Sequence, residues 1–372
     1  MKIVNVVGAR PNFVKMAPLL AAQRAHSEIV PLLIHTGQHG DELLTGRLFA
    51  ELDLPMPDVR MDLEPAPAAA QYARIFDRLR AELRRIEPAR VLVVGDVTST
   101  VAAAAAAQEL GIPLAHVEAG LRCGDMSMLE EQNRIRTDQM SDLLFASEPS
   151  AVANLSSEGA NPVNVHLVGN VMIDTLVRCR DRAARLERHR ALGLEPRRYA
   201  VVTLHRRGNL DDARTAAELI EAVDEVAKRI HVVFPAHPRA RAALEASGGL
   251  RRAVHEGRLT LLPPQSYLEM VSLTMSARVV ATDSGGLQEE TSYLGIPCLT
   301  LRDHTERPLT ITDGTNRIAG RTTSSILRAL EAELASDVQR APGAHTCWDG
   351  RAAERIAAIL VGPRGNDGAC RT

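Results

Sequence analysis

Short apolar runs alternate with longer segments of helical spacing along most of the chain. Runs rich in Val, Ile and Leu, bounded by glycine, proline or polar residues, are typical of strands buried on both faces of a parallel sheet. They predict strands at residues 2–7, 29–34, 91–94, 113–117, 142–146, 165–168, 199–204, 231–234, 259–262, 277–280 and 297–301. The intervening segments predict helices at residues 16–24, 68–86, 98–110, 129–140, 178–198, 213–228, 285–294 and 352–360.

The order of these elements is strand, helix, strand in both halves of the chain, which predicts an α/β fold. We expect two Rossmann-like, doubly wound domains that face each other across a cleft, where polar strand ends meet. The N-terminal domain is expected at residues 1–172 and the C-terminal domain at residues 173–350. Residues 351–361 are expected to form a helix that packs back on the N-terminal domain, and residues 362–372 a tail.

The composition is that of an ordinary globular protein. The chain has 372 residues, 45% hydrophobic and 24% charged, with a net charge of -2, so charge does not favour a nucleic-acid partner. Its five cysteines show neither a Cys-x-x-Cys pair nor a zinc spacing, which predicts no bound metal. No apolar run approaches the ~20 residues that span a bilayer, so we expect a cytoplasmic protein without a membrane partner.

The segment at residues 281–290 carries the clearest chemistry. It predicts a strand, a tight turn at Ser284-Gly285-Gly286, and a helix that ends at Gly295. Glycines at a helix N-terminus let a ligand approach free backbone N–H groups, and the helix dipole favours an anion there. The pattern therefore predicts a phosphate site, although a strand-to-helix turn alone would also explain it.

Charged residues follow other predicted strands. Arg10 and Lys15 flank the start of the first helix, while Asp96 and Glu118 come at the ends of two later strands. Glu130 lies in the first turn of the next helix, where an acid also simply suits the helix dipole. Because parallel strands end at one edge of a sheet, we expect the three carboxylates to gather there.

In the second half, His205 directly follows a predicted strand and precedes two arginines. A lone histidine is more often structural, but this position and the neighbouring cations favour an anionic ligand. The fingerprint G-x-G-x-x-G of dinucleotide-binding domains is absent from the sequence, which counts against a nicotinamide dehydrogenase.

Together these motifs resemble those of the non-hydrolysing UDP-N-acetylglucosamine 2-epimerases, from Lys2 to about Leu360. In the first half the resemblance rests on Gly8-Ala9-Arg10-Pro11 with Lys15, Val94-Gly95-Asp96-Val97, His116-Val117-Glu118-Ala119-Gly120-Leu121-Arg122, and Glu130-Glu131 with Asn133-Arg134. In the second half it rests on Gly169-Asn170-Val171, Leu204-His205-Arg206-Arg207, Thr282-Asp283-Ser284-Gly285-Gly286 with Gln288-Glu289-Glu290, and Arg302-Asp303 with Thr305-Glu306-Arg307-Pro308.

The resemblance implies a GT-B-like fold with UDP mainly on the C-terminal domain, and reversible conversion of UDP-GlcNAc to UDP-ManNAc. It implies elimination of UDP to 2-acetamidoglucal, followed by re-addition. Proton transfer is implied for Asp96, Glu118 and Glu130, with His205 assisting at the anomeric oxygen or the diphosphate. No metal or cofactor is implied, and the partners are a UDP-sugar and a second copy in a homodimer. The implied setting is polysaccharide biosynthesis.

The resemblance also implies which residues contact each part of the substrate. The implied contacts are Arg10, Ser284, Gly285 and Gly286 for the diphosphate, Glu290 for the ribose, and Gln265 with the backbone near Met270 for the uracil. Lys15 and Arg307 are implied to complete the polar site, together with Asp96, Glu118 and His205.

The chain departs from the family pattern at a few positions. Leu129 replaces the proline that usually precedes the paired glutamates, and Gly208 replaces the glutamate that usually follows His-Arg-Arg. Some bacterial relatives bind a second UDP-GlcNAc as an activator. Their arginine has no counterpart at residues 65–70, and Asp41 stands at a glutamine-like position. These departures argue against activation of that kind.

Other functions stay open. A hydrolysing epimerase would share most motifs and release free ManNAc, and a relative acting on a modified sugar would differ only in the sugar pocket. A GT-B glycosyltransferase typically needs one base, so three carboxylates count against it. A non-catalytic nucleotide-sugar sensor would be favoured only if the carboxylates were lost.

Overall fold

A computed structural model of the chain describes residues 1–37, 42–61, 63, 68–247, 250–336 and 347–362. These residues form two compact units. Unit 1 contains the described residues up to Arg178 and those from 347 onward, and unit 2 contains those from Cys179 to 336. The expectation about allosteric activation depends on residues 38–41 and 65–70. Of these, residues 38–41 and 65–67 lie outside the described residues, as does the tail from residue 363.

Unit 1 is built around a parallel sheet. Its strands are β1 (Lys2–Val7), β2 (Val30–His35), β3 (Val59–Arg60), β4 (Arg90–Val94), β5 (Leu114–Ala119), β6 (Leu143–Ala146) and β7 (Val165–Leu167). The helices are α1 (Arg10–Arg24), α2 (Glu42–Glu51), α3 (Ala68–Ile86), α4 (Thr98–Glu109), α5 (Leu129–Gln139) and α6 (Pro149–Ser157). Helix α7 (Val171–Leu186) begins in unit 1, and its residues from Cys179 onward belong to unit 2. A 3₁₀ turn at Pro162–Asn164 precedes β7.

The strand order in unit 1, within the described ranges, is β3-β2-β1-β4-β5-β6-β7. The chain winds outward from β1 to β3 and then crosses back to β4, so the order reverses between β1 and β4. The loops that leave these two strands diverge, which is where doubly wound sheets form ligand sites. Apolar side chains on both faces of β1 and β4 are buried, as their sequences predict.

Unit 2 repeats this architecture with different strands. Its strands are β8 (Tyr199–Thr203), β9 (His231–Pro235), β10 (Leu259–Leu262), β11 (Val279–Thr282), β12 (Cys298–Thr300) and β13 (Asn316–Ile318). Its helices are α8 (Arg188–Ala191), α9 (Arg207–Leu210), α10 (Ala213–Ala227), α11 (Pro238–Ser247), α12 (Arg251–His255), α13 (Tyr267–Met275), α14 (Gly285–Leu294), α15 (Leu309–Thr312) and α16 (Thr323–Ala335). The order β10-β9-β8-β11-β12-β13 reverses between β8 and β11.

These two parallel α/β sheets confirm the predicted fold class. Several predicted bounds were wrong, however. Helix α1 begins at Arg10 rather than residue 16, because Pro11 suits the first helical turn, and Lys15 therefore lies inside the helix. Strand β5 continues through Glu118. The arginine-rich segment at 178–198 is not one helix but the end of α7, the short α8 and a turn.

Some elements were not predicted: α6, α11, α12, α13, α15, β13 and α16. Several of them are short, but α16 has buried residues at helical spacing, Ile326, Ala329, Leu330 and Glu333, and its pattern was overlooked. In the described part of the chain no helix has the length and apolar character needed to cross a membrane.

The last helix, α17 (Ala352–Val361), packs on α1 within unit 1. Its N-terminus is capped from a distance by Asp174 of α7, whose carboxylate accepts from the backbone N–H groups of Ala352 at 3.1 Å and Ala353 at 2.7 Å. Just before α17, the indole of Trp348 is buried and donates to the carbonyl of Ser147 at 3.0 Å. Burial raises the pKa of Asp174 to about 6, so the two amide bonds offset only part of the cost of burying its charge.

We expect Asp174→Ala to lower the free energy of unfolding by about 1–3 kcal/mol, because two buried N–H groups lose their acceptor. Chemical denaturation followed by circular dichroism measures this change. Glu354→Ala is the matched control: Glu354 is an exposed acid in the first turn of α17, and its loss should change stability by less than about 0.5 kcal/mol. Equal losses for the two variants would contradict the capping role.

Candidate functional site

The edge of the unit 1 sheet where β4 and β5 end holds a buried ion pair. Lys15 extends from α1 and its ammonium contacts the carboxylate of Glu118. Both side chains are less than a tenth exposed. A buried lysine and carboxylate stabilise each other's charged forms, because either one alone would carry a large desolvation cost.

The backbone at Glu118 is unusual. Its φ is +71°, in the left-handed region that side-chain-bearing residues rarely adopt, and the pairing of β5 with β6 shifts register between Val117 and Ala119. Such a conformation costs roughly 1–3 kcal/mol and persists only where the surrounding structure holds it. The bulge turns the Glu118 side chain to the position where it meets Lys15.

Gly95, directly after β4, leaves room for this ion pair. Its φ is +72°, and a Cβ added there would lie 3.3 Å from Lys15 Nζ and 3.6 Å from Glu118 Oε2. Close by, Asn12 of α1 donates to the carbonyl of Val94 at 2.7 Å. The reversal point between β1 and β4 thus brings Lys15 and Glu118 against the turn that carries Asp96.

Asp96 is held by helix α5. The guanidinium of Arg134, itself only 2% exposed, contacts the Asp96 carboxylate, and Asn133 donates to the Asp96 carbonyl at 2.9 Å. Arg134 also lies 3.7 Å from the carboxylate of Glu131. Asp96 and Glu118 are therefore each paired with a buried cation at the same sheet edge.

The two glutamates at the start of α5 have different surroundings. Glu131 is buried and accepts from the backbone N–H groups of Cys123 and Gly124, each at 2.9 Å. Glu130 is exposed, and no hydrogen bond or ion pair joins it to the described residues. Arg10, the first residue of α1, is half-buried and likewise has no ion pair within the described part of the chain.

In unit 2, the predicted phosphate turn lies at the strand-order reversal. Ser284 is the N-cap residue of α14 and Gly285 its first residue, and Gly295 ends the helix with a φ of +71°. A Cβ added at Gly285 would lie 2.5 Å from Nη1 of Arg307. The guanidinium thus lies directly against the helix N-terminus, so a cation and the positive end of the helix dipole reinforce each other for an anion.

Three arginines surround Glu306 at this helix end. Its Oε1 accepts from Arg307 at 2.6 Å and Arg206 at 3.1 Å, and its Oε2 accepts from Arg302 at 2.6 Å. Arg307 also donates to Glu289 at 2.7 Å. Two carboxylates thus fix the three guanidinium groups while leaving an excess of positive charge.

His205 is oriented by Asp283. Its Nδ1 lies 2.7 Å from Oδ1 of Asp283. Oδ1 also accepts the backbone N–H of His205, and Oδ2 accepts the backbone N–H of Arg206. Burial acts to raise the pKa of Asp283, but the His205 imidazole and these N–H groups hold it below its usual range. An ionised Asp283 fixes the proton on Nδ1 and leaves Nε2 of the 43% exposed imidazole for a ligand.

Glu290 is a buried acid on α14. Burial raises its pKa to about 7, the neighbouring Glu289 adds to the effect, and Tyr267 opposes it. Its Oε1 has no hydrogen-bond partner among the described residues. A buried, unpartnered carboxyl oxygen is costly and is typical of a site where a ligand supplies the missing donor.

The remaining predicted substrate contacts are Gln265 and Met270, near the start of α13, and Gly286 on α14. Gln265 is buried, donates to the carbonyl of Pro263 at 2.8 Å and accepts from Arg188 at 3.2 Å. Met270 is partly buried on α13 and packs on a core cluster to which β8, β9, β10 and β11 contribute. Gly286 follows Gly285 in the first turn of α14.

Across the described ranges no group of three or more His, Cys, Asp or Glu side chains is arranged to hold a metal ion.

The structure adds residues that sequence reasoning did not select for a role. They anchor predicted residues through side-chain contacts: His116, Arg134 and Asp138 in unit 1, and Arg302, Asp283 and Glu306 in unit 2. A weak signal exists for one of them, because Glu131 and Arg134 are three apart on a helix and so lie on one face.

The fold and these sites define a class of α/β protein with two Rossmann-like sheets. In unit 1 the sheet edge bears carboxylates paired with cations, and in unit 2 it bears a helix N-terminus with arginines beside it. Comparison with known proteins narrows the class. The family model described as "UDP-N-acetylglucosamine 2-epimerase" matches residues 21–361. The chain belongs to the UDP-N-acetylglucosamine 2-epimerase family, which confirms the family predicted from the motifs.

Individual relatives cover nearly the whole chain. A UDP-N-acetylglucosamine 2-epimerase homolog of Methanococcus maripaludis is 38% identical, covering 89% of this chain and 92% of its own length. The UDP-2,3-diacetamido-2,3-dideoxy-D-glucuronate 2-epimerase of Pseudomonas aeruginosa is 35% identical, covering 97% and 99%. A crystal structure of Methanocaldococcus jannaschii UDP-GlcNAc 2-epimerase in complex with UDP-GlcNAc and UDP aligns with a TM-score of 0.89 at 33% identity, covering 97% and 99%.

Proposed function

We propose that this protein interconverts UDP-GlcNAc and UDP-ManNAc by elimination and re-addition of UDP, without net hydrolysis. The observation that carries the proposal is the pair of carboxylates, Asp96 and Glu118, each held by a buried cation at one sheet edge. Proton transfer at an unactivated carbon needs such preplaced acid–base groups. The ligands named for the Methanocaldococcus structure, UDP-GlcNAc and UDP, support the choice of substrate.

The reaction balances without a redox step. A proton leaves C2 while the bond from C1 to the diphosphate oxygen breaks, and the electron pair of the C2–H bond becomes the double bond of 2-acetamidoglucal. UDP departs with the electrons of the broken bond. In the second step, the electron pair of the double bond takes up a proton on the opposite face of C2 and a diphosphate oxygen of UDP attacks C1, which gives the other epimer. We assign the proton transfers to Asp96, Glu118 and Glu130.

The leaving diphosphate gains charge as the bond breaks. Unit 2 supplies the groups that stabilise such charge: the N-terminus of α14 at Ser284-Gly285-Gly286 and the Arg307 guanidinium beside it. We assign His205 to the anomeric oxygen or the diphosphate, because Asp283 leaves its Nε2 available. Arg10 adds a further diphosphate contact.

Binding of the remaining parts of UDP is assigned to other groups of unit 2. Glu290, whose Oε1 has no partner among the described residues, accepts from the ribose hydroxyls. Gln265 and the backbone near Met270 bind the uracil. We further propose that the protein is a homodimer, which light scattering after size-exclusion chromatography tests. Its proposed role is the synthesis of a polysaccharide precursor.

The proposal is tested by proton NMR of the purified protein with UDP-GlcNAc in deuterated water. We expect UDP-ManNAc to appear and deuterium to enter C2 of both nucleotide sugars. Accumulation of free ManNAc with UDP would instead show a hydrolysing epimerase. Absence of exchange at C2 while UDP still binds would overturn the proposal for this substrate.

A modified sugar is the second candidate, favoured by one observation. The Pseudomonas relative, which is named for a diacetamido glucuronate nucleotide, is about as similar to this chain as the relatives named for UDP-GlcNAc. A competition assay with both nucleotide sugars, compared by kcat/KM, separates the two. A higher kcat/KM for the diacetamido uronate would move the assignment to that substrate.

Nucleotide affinity should depend on pH through Glu290. The ribose hydroxyls need an ionised acceptor, and with a pKa of about 7 the carboxyl is largely protonated in the empty protein at pH 6. Binding must then expel a proton, so affinity for UDP-GlcNAc should rise about tenfold from pH 6 to pH 8. The diphosphate diester does not titrate in this range. The same linkage stabilises the empty protein as pH falls through about 7.

Isothermal titration with UDP-GlcNAc previously equilibrated with the enzyme measures this slope. Glu290→Gln is the control, because the amide keeps the size of the side chain but cannot ionise. Its affinity should be lower at pH 8 and nearly independent of pH. An unchanged slope in this variant would show that another group titrates.

A further inference from the structure

A fully buried imidazole lies beneath the carboxylate edge of unit 1. His116 is on β5 with no exposed surface, its Nδ1 lies 2.6 Å from Oδ1 of Asp138, and its Nε2 lies 2.9 Å from the carbonyl oxygen of Gly95. Both partners are acceptors. A neutral imidazole has a single N–H, so two hydrogen bonds to acceptors require a proton on each nitrogen. The geometry thus describes a buried imidazolium–carboxylate pair.

The rest of the Asp138 environment is consistent with an ionised carboxylate. Its Oδ2 accepts from the backbone N–H of Gly120 at 3.1 Å and from Arg122 at 2.7 Å. Burial acts to raise the pKa of Asp138, but His116 and Arg122 hold it below its usual range. Arg122 in turn is paired with the carboxylate of Glu158.

The His116–Asp138 pair bonds to the backbone beside both proposed acid–base residues, Asp96 and Glu118. Gly95, whose carbonyl accepts from His116, immediately precedes Asp96. Glu118, with its left-handed backbone, lies between His116 and Gly120, both of which bond to the Asp138 carboxylate. The backbone segments that carry Asp96 and Glu118 are therefore tied to a single buried charge pair on β5 and α5.

We infer that His116, fixed by Asp138, is a positioning residue that holds the Asp96 and Glu118 backbones in register for proton transfer. This inference rests on the proposed function for its kinetic consequences, but its structural content does not. The His116 side chain has no exposed surface, so its role is to position other residues. It acts by donating from Nε2 to the Gly95 carbonyl, while its Nδ1 bond to Asp138 also secures the turn at Gly120.

A matched pair of substitutions distinguishes the hydrogen bond at Nδ1 of His116 from the one at Nε2. The amide of His116→Gln reaches the position of Nε2 and can still donate to the Gly95 carbonyl, whereas the shorter amide of His116→Asn reaches only toward Asp138. We expect His116→Asn to lose about 10- to 100-fold in kcat with KM changed less than about threefold, because a small misplacement of reacting groups is costly. His116→Gln should recover most of that loss. Equal losses in both variants, or losses confined to KM, would overturn the inference.

A second measurement does not depend on activity. In the wild type, ¹⁵N NMR of the histidine ring should show both His116 nitrogens protonated, and hydrogen exchange at residues 94–98 should be faster in His116→Asn than in His116→Gln. An unprotonated ring nitrogen, or identical exchange in the two variants, would refute the positioning role even if the enzyme were active. Wild-type protein that fails to exchange C2 but passes both tests would refute only the proposed reaction.

Discussion

Replacing Glu118 with glutamine should lower the rate of deuterium exchange at C2 by about 10²- to 10⁴-fold, the range expected on removal of a general acid or base. Glutamine keeps the shape of the side chain but cannot take up a proton. The left-handed backbone at this position need not change. UDP affinity should stay within about threefold of the wild type, because the proposed UDP contacts other than Arg10 lie in unit 2. Deuterium exchange followed by NMR, together with titration by UDP, measures both quantities.

The loss of charge at Glu118 also leaves Lys15 without its buried partner, which on its own would reduce stability. The double variant Lys15→Met, Glu118→Gln separates this effect from chemistry. It should recover much of the lost stability, since neither side chain is then a buried unpaired ion, but none of the exchange activity. Exchange restored in the double variant would show that Glu118 serves only to neutralise Lys15.

Arg307→Ala should have the largest effect on unit 2. Its guanidinium is 5% exposed and bonds both Glu289 and Glu306, so its removal deprives two buried carboxylates of a partner. Breaking a buried ion pair from one side typically costs about 3–5 kcal/mol. The change also removes the cation beside the N-terminus of α14, so UDP affinity should fall by about 10²-fold, the equivalent of a lost charge-assisted hydrogen bond.

Two further variants sharpen this test. Arg307→Lys keeps the charge but cannot bond both glutamates as a planar fork, so its UDP affinity should lie between wild type and Arg307→Ala. Arg252→Ala removes an exposed arginine that is paired with Glu256 on the same unit, and should change stability by less than about 1 kcal/mol. A similar loss in Arg252→Ala would argue that arginine removal, rather than the buried network, destabilises unit 2.

The sequence predicted the elements whose side-chain pattern is strong. Helix α3 has the predicted bounds because its apolar residues recur at helical spacing, and strands β1 and β10 likewise match. The turn before α14 and the end of that helix were predicted because Ser284-Gly285-Gly286 and Gly295 are local signals that do not depend on tertiary contacts. Phosphate binding at this turn stays a prediction.

What the sequence did not predict depends on contacts between distant segments. Nothing local indicates that Glu118 adopts a left-handed backbone, that Arg134 reaches Asp96, or that Glu131 rather than Glu130 is the buried acid of its pair. Patterns along the chain report which face of an element is buried. They do not report which buried charges meet across a sheet edge, because that is set by strand order and register.

The indole of Trp348 gives the molecule an intrinsic optical reporter. It is the only tryptophan of the chain, and it is buried in unit 1 with its N–H on the carbonyl of Ser147. Emission excited at the red edge of tryptophan absorption will therefore follow the melting of unit 1 alone, while far-ultraviolet dichroism follows both units. Because the proposed UDP contacts other than Arg10 lie in unit 2, UDP should shift the dichroism transition more than the red-edge transition.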